Sequence, residues 1–280
     1  MVQPISGQAI YVVLMREIKR YWRAKARIIS SIAQSFFFLL FFGMGVGSMF
    51  SGGSFGPGGY LGYIAPGIIG MGLLFGSVFS GVSVIFDRQF GFMKEMLVAP
   101  VSRTSIIIGK ILGGALTASI QGVILLGVST LIGAFSFVPL PLFVIGVLLS
   151  IGVMILITAG FVGLGVAIGS SLNDFHAFQL LVTFVIWPLF MLSGVFFPFT
   201  GAPSWLQIAM LCDPMFYGVE AMRVCLGSPV SLDLITIFSG IPVIGPVLVM
   251  VPWLVPILVL VLFTSIMVAI GTFLFSRAQV

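Results

Sequence analysis

The sequence predicts an all-α, polytopic membrane protein with six transmembrane helices, and three observations carry that reading. Of its 280 residues, 60% are hydrophobic and 7% charged, whereas a water-soluble domain needs about a quarter charged residues to solvate its surface. The apolar runs reach the roughly 20 helical residues that cross a hydrocarbon slab of about 30 Å. Runs such as FFFLLFFGMGVG and ILVLVLFTSIMVAIG are apolar on every face, which excludes the polar–apolar alternation of barrel strands. The spans are expected at residues 28–50, 62–86, 106–132, 142–169, 177–197 and 251–275. Together they form one transmembrane domain over residues 1–280.

Residues 4–27 precede the first span and read as an amphipathic interfacial helix. At 100° per residue, Ile10, Val13, Leu14, Ile18, Tyr21 and Trp22 fall on one arc, and Arg16, Lys19, Arg20, Arg23 and Arg27 on the other. Such a helix lies at headgroup depth with its cations on lipid phosphates, either anchoring the chain or also packing on a cytoplasmic partner. The first span is too long, and too poor in a small-residue cleavage site, for a secretory signal.

Six spans put both termini on one side. Eleven of the twelve Lys and Arg residues fall on that side, and only Arg223 lies opposite. The positive-inside rule makes the basic side the cytoplasm, and the plasma membrane is the barrier expected. The loops at 51–60 and 133–141 carry no charge and suit outer turns. Nothing in this pattern calls for a nucleic-acid partner.

No ionisable residue falls securely inside a span, so ion-coupled transport is not expected. Gln34, Gln121, Thr158 and Gln179 are neutral polar residues within spans and are expected to bond between helices. The pairs Gly43/Gly47, Gly72/Gly76, Gly109/Gly113 and Gly165/Gly169 suit close helix packing. No GxxxxGK[ST] loop is present, and Asp174 with His176 in SSLNDFHAF reads as a turn and a helix cap. Neither an enzyme nor a resident cofactor or metal is expected. Cys212 and Cys225 leave both a disulfide and two separate thiols open.

The central loop, 87–105, holds Asp87, Arg88, Lys94, Glu95 and Arg103, with Pro100 stopping any helix before it. Arg88, Phe92 and Glu95 fall at steps of four and three, so one helix would put them on one face with Met96 at its edge. A short amphipathic helix there either floats on headgroups or docks in a protein groove, and its mixed charge suits the groove.

Arg88 to Arg103 resembles the loop between the second and third spans in permeases of the type-2 ATP-binding-cassette exporter family, including the daunorubicin-resistance and polysaccharide-export branches. Ser193 to Arg223, reading SGVFFPFTGAPSWLQIAMLCDPMFYGVEAMR, resembles the family's segment after the fifth span, with Pro198, Pro203, Trp205, Pro214, Tyr217, Glu220 and Arg223 in place. The resemblance implies a transport subunit that moves a hydrophobic or amphipathic substrate, such as a drug, a lipid or a glycan-lipid, out of the cytoplasm. It implies a second permease, either another copy of this chain or a sister chain, and two separate ATPase subunits that hold ATP and magnesium. Arg88, Phe92, Lys94, Glu95, Met96, Pro100 and Arg103 would then couple to the ATPase. Pro198, Trp205, Pro214, Tyr217, Glu220 and Arg223 would shape an outer gate within a re-entrant segment at 198–250. Glu220 and Arg223, three apart, can pair with each other or meet substrate. Pro229, Pro242, Pro246 and Pro252 depart from the family's pattern and leave the start of the last span open. A stand-alone carrier or channel, or a lipid-modifying enzyme, are the rival readings.

Overall fold

The computed structural model describes residues 6–50, 55, 58–92, 101–136, 138–172, 174–228 and 254–277, and every regular element among them is helical. In chain order these are α1 (Gly7–Arg23), α2 (Lys25–Phe38), α3 (Gly59–Ser80), α4 (Val82–Gln89), α5 (Arg103–Leu131), α6 (Leu140–Ser171), α7 (Phe175–Leu192), α8 (Ser204–Cys212), α9 (Pro214–Cys225) and α10 (Leu254–Arg277). Beyond Phe38 the helix widens to π geometry over Leu39–Val46 and ends in a 3₁₀ turn at Gly47–Phe50.

Among the described residues, six stretches are long and apolar enough to cross a bilayer: Ile28–Met49, Gly59–Gln89, Arg103–Leu131, Leu140–Ser171, Phe175–Leu192 and Leu254–Ser276. They match the expected six. The fifth stops short of residue 197, because the chain turns at Ser193 and Gly194, where φ is +69°. The second runs on through Asp87 and Arg88, and the third begins at Arg103. The connecting loop is therefore shorter than the 87–105 expected, and its first and last charged residues belong to helices.

Local sequence explains where several helices begin. Ser102, Asp174 and Asp213 stand at N-caps, and their side chains accept from the backbone N–H of Ser105 (3.2 Å), Ala177 (3.0 Å) and Met215 (2.9 Å). Pro214 follows Asp213 as the first helical residue, where its missing N–H leaves nothing unbonded. The cap reading of Asp174 thus holds, and the Ala177 N–H keeps its carboxyl below the usual carboxylate range.

α3 is the centre of the bundle. Some 78% of its most apolar stretch is buried, against 18% for the first span and 17% for the last. α2, α5, α6, α7 and α9 surround it. The four expected glycine pairs all sit at helix contacts. Gly109 and Gly113 face Val13 and Glu17 of α1, Gly72 and Gly76 face α5, and Gly43 and Gly47 face Leu61 and Tyr60. Gly165 and Gly169 lie against Val78 and Gly81, and any side chain at Gly81 would collide with the Gly165 backbone. α3 and α4 part at Gly81, so the second span breaks where it crosses α6.

α1 packs along α5, and the Ser6 N–H donates to Ser105 Oγ (3.0 Å). Part of the apolar arc expected to face lipid instead meets protein, with Val13 buried while Tyr11, Val12 and Trp22 stay exposed.

Candidate functional site

At the end of the bundle that carries most of the basic residues, Asp87 in the last turn of α4 collects cations from two other helices. Lys110 of α5 bonds to Asp87 Oδ2 and also donates to Ser83 Oγ (3.4 Å). Arg16 of α1 donates to the same Oδ2 (2.8 Å) and to Glu17 Oε1 (3.1 Å), while Arg20 stands 3.9 Å from Oδ1. Asp87 and Lys110 are 4% and 2% exposed. Burial works against the Arg16 charge, but the Asp87 and Glu17 carboxylates outweigh it and raise its pKa.

This cluster corrects the expectation of spans free of ionisable groups, because Asp87 and Lys110 lie inside the second and third. Single charges near the end of a long apolar run barely lower its hydropathy, and here they neutralise each other on neighbouring helices. Sequence reasoning counted Asp87 as a loop residue and set Lys110 at the very start of the third span, too near its end to count as inside it.

The residues expected to couple to an ATPase divide. Arg88 donates to the Ser170 carbonyl (3.1 Å), tying α4 to the end of α6. Arg103 donates to the Ser276 carbonyl (3.0 Å), tying α5 to α10. Phe92 is exposed, as is Phe90. Gly91, at φ +78°, interrupts the helix after Gln89, so Arg88 and Phe92 do not share the continuous helical face that their spacing suggested. Lys94, Glu95, Met96 and Pro100 lie outside the described residues.

At the opposite end, Glu220 and Arg223 of α9 form an ion pair, as spacing by three allows, and both are buried. Arg223 also donates to the carbonyls of Gly194 (2.9 Å) and Tyr63 (3.3 Å), and its guanidinium lies 3.9 Å from the centre of the Tyr63 ring. Tyr63 Oη donates to the same Gly194 carbonyl (2.9 Å). One cation thus binds α9, the centre of the bundle and the turn after the fifth span.

The remaining residues expected at an outer gate lie on α8, on α9 and in the turn before α8. Tyr217 Oη donates to the Leu211 carbonyl (3.0 Å), and burial raises its pKa. Trp205 is exposed on α8, and Pro198 precedes the 3₁₀ turn Phe199–Gly201. Sequence reasoning missed Asp213, 2% exposed, whose carboxyl burial pushes up to about 8 and whose Oδ2 has no partner among the described residues. Its place before Pro214 was the available signal. Cys212 and Cys225 are not joined. Residues 229–250 of the expected re-entrant segment, and Pro252, lie outside the described residues.

Of the four neutral polar residues expected to bond between helices, Thr158 does so, with Ser119 of α5 (3.0 Å). Gln34 and Gln179 are exposed, and Gln121 is buried without a hydrogen-bond partner among the described residues. No group of residues among those described could hold a metal ion.

The sequence profile of the family described as ABC-2 type transporter matches residues 8–227. A putative transport permease, ycf38, of Cyanophora paradoxa is 30% identical over 222 residues, covering 77% of this chain and 73% of that protein. The inner membrane transport permease YadH of Escherichia coli is 25% identical over 252 residues, covering 88% and 93%. A probable doxorubicin resistance ABC transporter permease protein, DrrC, of Mycobacterium tuberculosis is 26% identical over 166 residues, covering 57% and 56%.

Proposed function

This chain belongs to the ABC-2 type transporter family, and on that premise we propose that it is the membrane permease subunit of an ATP-driven exporter whose ATPase is a separate chain. The observation that carries the mechanism is the sharing of Asp87 by Lys110 and Arg16 at the stem of the central loop. A load on that loop enters the second span, the third span and α1 together, because separating them would leave buried charge unpaired. Two ATPase copies, holding ATP and magnesium, would apply the load as they close. Lys94, Glu95 and Phe92 are the loop residues that meet them, while Arg88 and Arg103 transmit the load to α6 and α10 through their carbonyl bonds.

The basic end faces the cytoplasm of a plasma membrane, with both termini there. A second copy of the chain completes the pathway, and the exposed apolar side chains of the first and fifth spans, such as Phe41 and Phe184, suit it. The cargo is hydrophobic or amphipathic, in line with the doxorubicin-resistance relative. The arrangement at Asp174 gives no support to an enzyme, since its carboxylate is spent on the cap of α7.

The test is reconstitution in vesicles with and without the ATPase that co-purifies in mild detergent. Nucleotide-dependent efflux, lost together with ATPase binding in Glu95→Lys, is the expected result. Transport by the purified chain alone without nucleotide would overturn the reading.

A further inference from the structure

We propose that a cleft between α2, α3 and α5 receives a neutral hydrogen-bonding group, an amide or a hydroxyl, carried on an apolar molecule, and that the Gln121 amide selects it. The cleft has a volume of about 180 Å³. That is below the roughly 300–1,000 Å³ of pockets that enclose a whole drug-sized molecule, so it takes one polar part of a larger ligand.

Four observations point to a ligand. Gln121 is 4% exposed and Ser35 3%, both line the cleft, and neither side chain has a hydrogen-bond partner among the described residues. Ser119, two residues before Gln121 on the same helix, does find a partner across the interface in Thr158. The Gln121 amide is open only to the cleft, so a group entering the cleft can bond to it, whereas a Gln that serves only to join helices would be bonded to one. The glycines of α3 make the room: a methyl group on Gly76 would stand 3.3 Å from Gln121 Oε1, and one on Gly72 would stand 3.6 Å from Gln121 Nε2 and from Ser35 Oγ. Finally, Phe75 and Phe79 wall the cleft, held edge-on by Trp187 (5.7 Å between ring centres) and Phe178 (6.4 Å) of α7.

The chemistry of the lining sets the ligand class. Amide and hydroxyl groups donate and accept, the rings take an apolar body, and no lining residue is charged. A carboxylate or ammonium would enter without a counter-ion and is excluded by desolvation. Naming the ligand as cargo rests on the transport reading above, whereas its binding does not.

The experiment uses a photoreactive dodecanamide carrying a mid-chain diazirine, added to vesicles that hold the chain alone, with adduct positions read by mass spectrometry. Saturable labelling of the α3 segment around Phe75 and Phe79 is expected, with dodecanamide competing and dodecane and dodecyltrimethylammonium not competing. Gln121→Leu should weaken binding roughly tenfold, as loss of a buried hydrogen-bond partner does, and Gly76→Ala should weaken it by narrowing the cleft. Thermal unfolding separates this role from a structural one. If the amide waits for a ligand, Gln121→Leu unfolds no earlier than the parent, and if it joins helices the variant unfolds earlier. Equal labelling of parent and Gln121→Leu, or equal competition by dodecane, overturns the proposal. Displacement by added diacylglycerol identifies a bilayer lipid as the natural source of the group, and no displacement identifies exported cargo; both support the site. Because no nucleotide or ATPase is present, failure here is distinct from failure of ATP-driven export.

Discussion

Asp87 and Lys110, one residue in each of two consecutive spans, form an ion pair that is sealed from solvent while Arg16 of a third helix shares the same carboxylate oxygen. Removing one partner of a buried pair costs about 3–5 kcal/mol because the other is left uncompensated, whereas replacing both with apolar groups is often neutral. Asp87→Ala should therefore lower the unfolding midpoint in detergent more than Lys110→Met, since Asp87 without Lys110 retains Arg16. Combining Asp87→Leu with Lys110→Met should recover much of the loss. A double variant no more stable than Asp87→Ala would show that the pair does not act as a unit.

The contact of Gly81 with Gly165 predicts intolerance of one methyl group. Gly165→Ala places its side chain on the Val78 carbonyl, and backbone cannot retreat as a flexible side chain can. Assembled protein should fall sharply in size-exclusion profiles from membranes. Gly152→Ala is the matched control on the same helix, with nothing within 4 Å, and should be neutral or stabilising by up to about 1 kcal/mol.

Arg223 is predicted to be irreplaceable by lysine. Arg223→Lys keeps the positive charge for Glu220 but cannot stack flat on Tyr63 or reach two carbonyls with a planar fork. Hydrogen bonds to charged groups contribute about 1.5–3 kcal/mol each, so the loss should exceed about 2 kcal/mol and expose α8 and α9 to proteolysis. Parent-like cleavage would argue that the charge alone matters.

Asp213 predicts a pH dependence whose sign follows from burial. Its carboxyl, near 8 in the folded chain, would titrate near 3.9 when unfolded. The folded chain thus binds the extra proton between those values, and this group's contribution to stability falls as pH rises from about 4 to about 8. Asp213→Asn keeps a side-chain oxygen for the Met215 N–H. It should flatten that slope and unfold later than the parent at about pH 9. Identical slopes for parent and variant would contradict the raised carboxyl.

The orientation predicts accessibility. In a background without Cys212 and Cys225, a cysteine at exposed Ser136 should react with an impermeant thiol reagent outside intact cells, and one at Ser102 only after permeabilisation. Labelling of Ser102 from outside would invert the topology.

Span number, span position and the basic end of the bundle were readable from the chain, because length and hydropathy are summed along one segment and need no neighbour. The pairing of Glu220 with Arg223 and the capping by Asp174 were readable for the same reason, since their partners lie within three residues. What lay beyond the sequence is every relationship across helices. Helices such as α6 are apolar on all sides, and lipid is as apolar as a neighbouring helix, so periodicity does not say which face meets which partner. Packing of glycine backbones at Gly81 and Gly165 sets where the second span lies along α6. Lateral packing of the helices brings Asp87 to Lys110 and carries Arg223 onto Tyr63, 160 residues away in the chain. It also leaves Gln121 facing a cleft where Thr158 found a partner, a difference between two similar polar residues that arises only from the shape of the space each helix crossing encloses.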